Sequence, residues 1–351
     1  MSDNGRGRAT IRSIARETGL SIATVSRALQ ESPSVRAETI STVLAAAERL
    51  GYRRNPAGAG LRTGRTETIC LVMQVAASGD MLGDVGALQL ITGANRRLAG
   101  SGYNLNLVPV PPQDDPLEAL NGVVRRGNFD GIVLSSTKPD DARVRFLDSR
   151  GIPFVTFGRT ELPFEHAYYD VDNADFVYRA ARLLIERGAR RIGVFIPPPE
   201  LAFSQHRVAG LRRALREAGL SFEEAGVLLT DNEVSLVGDP NRLPGNGKAP
   251  DGYICGREIA ALAVLRGLQN AGLEVGEEVH VVTMETSNLP DLFPAAVPGF
   301  FQDLERAGFI LADFVLRRLT GTPAAALQQV ETMALRERPS ARRIPRLMES
   351  G

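Results

Sequence analysis

From residue 66 onward this 351-residue chain alternates short apolar runs with amphipathic stretches. The apolar runs lie at 68–75, 104–110, 131–135, 153–157, 191–196, 226–230, 251–255 and 279–284. Between and after them, residues 87–99, 117–126, 174–187, 207–218, 259–270 and 304–319 space their apolar side chains as a helix does. Parallel strands need long crossovers, which are usually helical. The alternation therefore predicts doubly wound parallel sheets covered on both faces, in two lobes. Lobe one is expected over about 66–157 plus return segments, and lobe two over about 174–286.

The first 54 residues follow a different pattern. Thr10 suits the N-cap of a helix over the next residues, and Gly19 ends it because glycine accepts the left-handed backbone found just past a helix. Ser21 caps a second helix two residues later. Ile14, Ala15, Leu20, Val25 and Leu29 are spaced to share a small apolar core, leaving Ile22, Ala23, Ser26 and Arg27 outside. Two helices so joined form a helix-turn-helix, whose second helix enters the DNA major groove. Thr10, Ser21, Ile22, Ala23, Thr24, Ser26 and Arg27 are the candidate contacts to double-stranded DNA.

Charge supports that assignment. The formal net charge is zero, with 41 basic and 41 acidic residues. Residues 1–65 hold 11 Arg and five acids, a net of +6, so the remainder is net −6. A basic head on an acidic body suits phosphate contact through the head alone. No apolar run approaches the roughly 18 residues that cross a bilayer, and the N-terminus has no apolar signal region. Cys70 and Cys255 sit in apolar runs and read as buried, reduced thiols. His166, His206 and His280 are scattered, so no metal site and no cofactor are expected. No Gly-x-Ser-x-Gly elbow, phosphate-loop lysine or strand-following Gly-x-Gly-x-x-Gly is present, which argues against an enzyme. The composition predicts a soluble cytoplasmic protein.

A two-lobed α/β core binds ligands at the carboxyl ends of its strands. That rule selects Met73 and Gln74, the Gly158-Arg159-Thr160 turn, Asp170, Asp172-Asn173, Ser204 to Arg207, Gly256-Arg257-Glu258 and Glu285. Acids, amides and arginines at one mouth match the paired donors and acceptors that sugar hydroxyls require.

The headpiece residues Thr10-Ile11, Ile14-Ala15, Gly19-Leu20-Ser21 and Thr24-Val25-Ser26-Arg27 recur in one known order. They are followed by Thr39, Ala46-Ala47, Leu50-Gly51-Tyr52, Asn55 and Leu61. The sequence resembles the lactose/galactose repressor (LacI/GalR) family of bacterial transcriptional regulators. The resemblance implies a headpiece over 1–54, a hinge over 55–65 and a periplasmic-binding-protein-like core over 66–351. It implies a homodimer on a near-palindromic operator, with Asn55, Leu61 and Arg62 of the hinge on DNA and Leu61 wedged in the minor groove. It marks Arg207 as an effector contact and Glu285 as a hydroxyl acceptor where relatives carry aspartate. The expected effector set is Gln74, Arg159, Asp172, Arg207, Arg257 and Glu285.

Departures qualify the match. Gly58 and Gly60 weaken the hinge as a helix, at about 1 kcal/mol each relative to alanine. Arg257 replaces the usual Asn or Ser, and an arginine there suits a carboxylate or phosphate. That arginine points to an acidic sugar unless it pairs with Glu258 or Glu285 instead; an acidic-sugar, nucleobase or co-repressor-dependent regulator is the alternative to a sugar-released repressor. The segments 156–160 and 169–173 are similar to those of α-glucoside regulators. Residues 231–250 read as loop where relatives carry a helix, and the 13 residues after Arg338 hold no leucine heptad for a tetramer.

Overall fold

The computed structural model describes residues 9–52, 64–75, 85–230 and 249–338. It separates into two compact units, Met1–Thr66 and Glu67–Gly351. The expected hinge contacts Asn55, Leu61 and Arg62 lie outside the described residues, as does 231–248.

The first unit contains α1 (Ile11–Thr18), α2 (Ile22–Ala28) and α3 (Ala37–Arg49). Thr10 and Ser13 form a reciprocal capping box, and Gly19 adopts φ +70° at the end of α1. The Ser21 hydroxyl accepts from the Thr24 amide at 3.1 Å, starting α2. Ile14, Val25, Ala28, Val43 and Ala46 form the buried core, with Leu20, Leu29 and Tyr52 packed around it. An ion pair from Arg49 to Glu17 ties α3 to α1.

In the second unit, one sheet contains β1 (Thr68–Gln74), β2 (Asn104–Val110), β3 (Gly131–Leu134), β4 (Phe154–Phe157), β5 (Ala167–Val171) and β11 (Gln328–Glu331). Its order is β11-β5-β4-β3-β1-β2, and every pairing is parallel. The other sheet contains β6 (Ile192–Phe195), β7 (Gly226–Leu229), β8 (Gly252–Cys255), β9 (His280–Glu285), β10 (Gly299–Phe301) and β12 (Ala334–Arg336). Its order is β12-β10-β9-β8-β6-β7, with only β12 antiparallel. The fold is thus a helix-turn-helix unit plus two doubly wound α/β lobes.

Covering the sheets are α4 (Val85–Leu98), α5 (Pro116–Arg126), α6 (Ala142–Asp148), α7 (Asn173–Glu186), α8 (Ala202–Glu217), α9 (Phe222–Ala225), α10 (Glu258–Asn270) and α11 (Leu304–Leu319). Two sequence expectations differ from these elements. Lobe one extends to Val171, because β5 pairs with β4 in the register Val155 to Ala167. Lobe two continues past 286 through β10 and β12. These strands have only three to five residues, so they give little periodic signal.

Candidate functional site

In each lobe the strand order reverses beside the first strand, at β1/β3 and at β6/β8. At such reversals the following crossovers leave in opposite directions and open a crevice at the strand carboxyl ends. A cavity of about 640 Å³ lies there, lined by Met73 and Gln74 after β1, Ser135 and Ser136 after β3, Phe195 and Pro197 at β6, and Gly256 to Ile259 after β8. Its volume falls within the roughly 300–1,000 Å³ usual for small-molecule sites.

Arg207 on α8 is the buried cation of this cavity, 5% exposed. Its Nε donates to Asn173 Oδ1 at 3.0 Å. Its guanidinium lies 5.4 Å from the Phe203 ring centre and 5.7 Å from that of Phe176. Gly256 leaves room for it, since a Cβ there would sit 2.3 Å from Arg207 Nη1. Lobe one contributes Asp170 to the same lining, 3% exposed. Its carboxylate accepts from Arg159 Nε at 2.9 Å and from the Val171 amide at 2.8 Å. Burial raises the Asp170 pKa above its usual range despite the Arg159 charge. A buried carboxylate and a hydrogen-bonded arginine amid Phe157, Phe195 and Phe203 present polar partners on an aromatic wall.

Of the six effector residues expected from sequence, Gln74, Arg207 and Arg257 line the cavity. Three do not. Arg159 is spent on Asp170, and Asp172 caps α7 by accepting from the Ala174 and Asp175 amides at 3.1 and 3.0 Å. Glu285 is corrected most sharply. It has no exposed surface and pairs with Arg338 at 2.8 Å and Arg336 at 3.2 Å. Strand alternation along β9 gives Met284 to the cavity and turns Glu285 away from it. Asp170 and Asn173, named among the strand-end candidates but not in the favoured set, stand on the wall instead. Sequence reasoning missed Thr286, Ser287, Phe157 and Phe195, whose only signal was their place just inside or just past strand ends, and Phe203, in the first turn of α8.

In the headpiece, α2 exposes Ile22 (51%), Ala23 and Arg27 on one face. Arg27 Nε donates to its own helix at Ala23 O, 3.3 Å away, and holds the guanidinium along that face. Thr10 and Ser21 are exposed caps. Thr24 and Ser26 are half-buried, and the Thr24 hydroxyl lies 2.8 Å from that of Ser21 within the cap. Among the described residues no group of three His, Cys, Asp or Glu is placed to hold a metal, and no helix is long and apolar enough to cross a membrane.

Comparison with known proteins agrees with both halves. Residues 10–55 match the family described as bacterial regulatory proteins, lacI family, and residues 181–341 match a periplasmic binding protein-like domain. The chain is 33% identical over 295 residues to the HTH-type transcriptional regulator AglR of Rhizobium meliloti, covering 83% of this chain and 80% of that one. It is 30% identical to the HTH-type transcriptional regulator CelR of Thermobifida fusca, over 90% and 93% of the two chains. Among solved structures, a transcriptional regulator CelR–cellobiose complex superposes with a TM-score of 0.68 at 27% identity, covering 95% of this chain and all of that one. The Lac repressor dimer bound to operator shares the fold, with a TM-score of 0.79 at 17% identity over 95% and 98% of the chains. These relatives regulate transcription and are not enzymes. The chain belongs to the LacI family of bacterial regulatory proteins and is a DNA-binding transcriptional regulator.

Proposed function

We propose that this protein is a cytoplasmic repressor of carbohydrate-use genes, bound to operator DNA as a homodimer and released by a sugar in the core cavity. The observation that carries the sugar reading is the pairing of Arg207, Asn173 and Asp170 with an aromatic wall. Sugar hydroxyls need such donors and acceptors, and the apolar face of a pyranose ring packs on phenylalanine. The cellobiose held by the CelR structure supports the same ligand class. Gln74 and Arg257 complete the proposed contact set. Arg257 on the wall favours a second reading, an acidic sugar recognised through its carboxylate.

On DNA, Ile22 and Ala23 meet thymine methyl groups, Arg27 reads guanine, and Thr10, Ser21, Thr24 and Ser26 hold the backbone. Asn55, Leu61 and Arg62 act from the hinge, with Leu61 as the minor-groove wedge. The headpiece, hinge and core divide at 1–54, 55–65 and 66–351.

Thermal shift of the full chain against cellobiose, maltose, sucrose, trehalose, raffinose and glucuronate tests the effector class. A sugar at 100 times its Kd stabilises the fold by about 2.7 kcal/mol. Arg207→Ala should lose that shift and still bind operator. A sugar that stabilises Arg207→Ala as much as the parent rejects the contact set. On the DNA side, Arg27→Ala should lose about 1–3 kcal/mol of base discrimination. An unchanged binding-site preference for that variant would reject its role.

A further inference from the structure

Hydrogen bonds join lobe two to lobe one at two separate places near the strand carboxyl ends. At one place, the backbone of Thr286, just after β9 of lobe two, is held through both its amide and its carbonyl. Its amide donates to Glu258 Oε1 at 2.6 Å, and its carbonyl accepts from Gln89 Nε2 at 2.9 Å. Glu258 belongs to lobe two, at the start of α10. Gln89 belongs to α4, which packs on α11 and with it covers the lobe-one sheet.

Glu258 is almost fully buried, and the same oxygen also accepts from the Ser287 amide at 2.9 Å, Ser287 Oγ at 3.2 Å and Thr286 Oγ1 at 3.3 Å. Four donors on one carboxylate oxygen fix the Thr286–Ser287 turn rigidly to α10. Charge-assisted hydrogen bonds of this kind are shorter and stronger than neutral ones. The turn lines the cavity on its other side, together with Glu258.

At the other place, the amide of Ala202 in α8 donates to the lobe-one carbonyl of Thr137 at 2.9 Å. Leu201, at the N-cap of α8, gives no side-chain cap. Lobe one therefore satisfies one of the free amides at the start of the helix that carries Arg207.

We propose that Glu258 and Gln89 are positioning residues of an interlobe strap centred on the Thr286 backbone. The strap sets the lobe angle of the effector-free core, and a bound effector acts on it through the Thr286–Ser287 wall. Its regulatory meaning rests on the cavity being the effector site. The strap itself does not.

Hydrogen exchange on the full chain without any sugar tests the strap directly. The Ala202 amide serves as a remote reporter, because its partner Thr137 belongs to the other lobe. Gln89→Ala should speed exchange at Ala202 several-fold and leave the β1 and β6 amides unchanged, which also controls for folding. Gln89→Glu should speed it further, since a carboxylate repels the Thr286 carbonyl. Glu258→Ala should release the Thr286 and Ser287 amides as well, and Glu258→Gln, which keeps an acceptor oxygen, should restore most of their protection. Equal Ala202 exchange in the parent, Gln89→Ala and Gln89→Glu overturns the strap. A failed sugar screen would reject the effector reading and leave the exchange result standing.

Discussion

Arg207 sits where it does because residue 256 has no side chain. A methyl group at that position would lie 2.3 Å from Nη1 and 3.3 Å from Cζ of the guanidinium, inside van der Waals contact. Gly256→Ala should therefore push Arg207 out of its bond to Asn173 and weaken sugar binding at least tenfold, with little effect on operator affinity. Calorimetry on the variant checks this, and parent-like sugar affinity would contradict it. Burial acts on titration at a second site. His166 stacks on Phe154 and contacts Thr156 Oγ1 at 3.0 Å. The Thr156 hydroxyl donates to Gly158 O at 2.6 Å, so it accepts from His166 Nε2–H. Burial lowers the His166 pKa below 6.5, against the opposing pull of Asp141 and Asp148. The unfolded chain takes up that proton near pH 6.5 and the folded chain resists it. The stability this neutral histidine contributes is whole above pH 6.5 and is lost as pH falls through the folded value. His166→Gln should lose less Tm than the parent between pH 7.5 and 5.5; equal losses would exclude this role. At this scale the sequence was legible wherever a cap or a φ requirement spoke, as at Thr10, Gly19 and Ser21. It misled at Glu285, because a one-residue change of phase along a strand exchanges the buried face for the ligand face. Only packing against Arg336 and Arg338 settles that phase.

Each lobe packs two of its helices together at glycines, two in lobe one and one in lobe two. In lobe one, α4 meets α11 so closely that a Cβ on Gly308 would lie 1.9 Å from Leu90 O, and one on Gly93 would lie 1.7 Å from Glu305 O. Ion pairs from Arg96 to Glu305 at 2.5 Å and from Arg97 to Asp313 at 2.8 Å flank the crossing. In lobe two, Gly210 of α8 lies against the backbone of α7 in the same way. A backbone atom cannot step aside as a flexible side chain can. Gly308→Ala should therefore separate the helices and destabilise the core by about 1–3 kcal/mol. Urea unfolding measures that change, and an unshifted midpoint would show that the crossing relaxes freely. The long elements were readable from periodicity, and the 304–319 helix is found at Leu304–Leu319. The short β10, β11 and β12 and the seven-residue α6 were not. Their place is decided by the sheet edge or surface they complete rather than by any pattern of their own.

For the molecule as a whole, the order of elements and the switch of pattern near residue 66 carried the architecture. Which side chains meet across the cavity depends on how two lobes far apart in sequence close on each other, and no local pattern encodes that. The proposed regulation has to span two units: the proposed reading surface is on α2 and the proposed sugar site is in the other unit, so it requires a conformational equilibrium that both ligands bias. Such coupling is typically worth about 1–3 kcal/mol and is reciprocal. Fluorescence anisotropy of a duplex selected by the full chain tests this most directly, with and without the sugar that most raises Tm. The account predicts that the sugar weakens duplex binding about 5–150-fold, and that Arg207→Ala binds the duplex normally but ignores the sugar. Duplex affinity left unchanged by a sugar that demonstrably binds the core would contradict it.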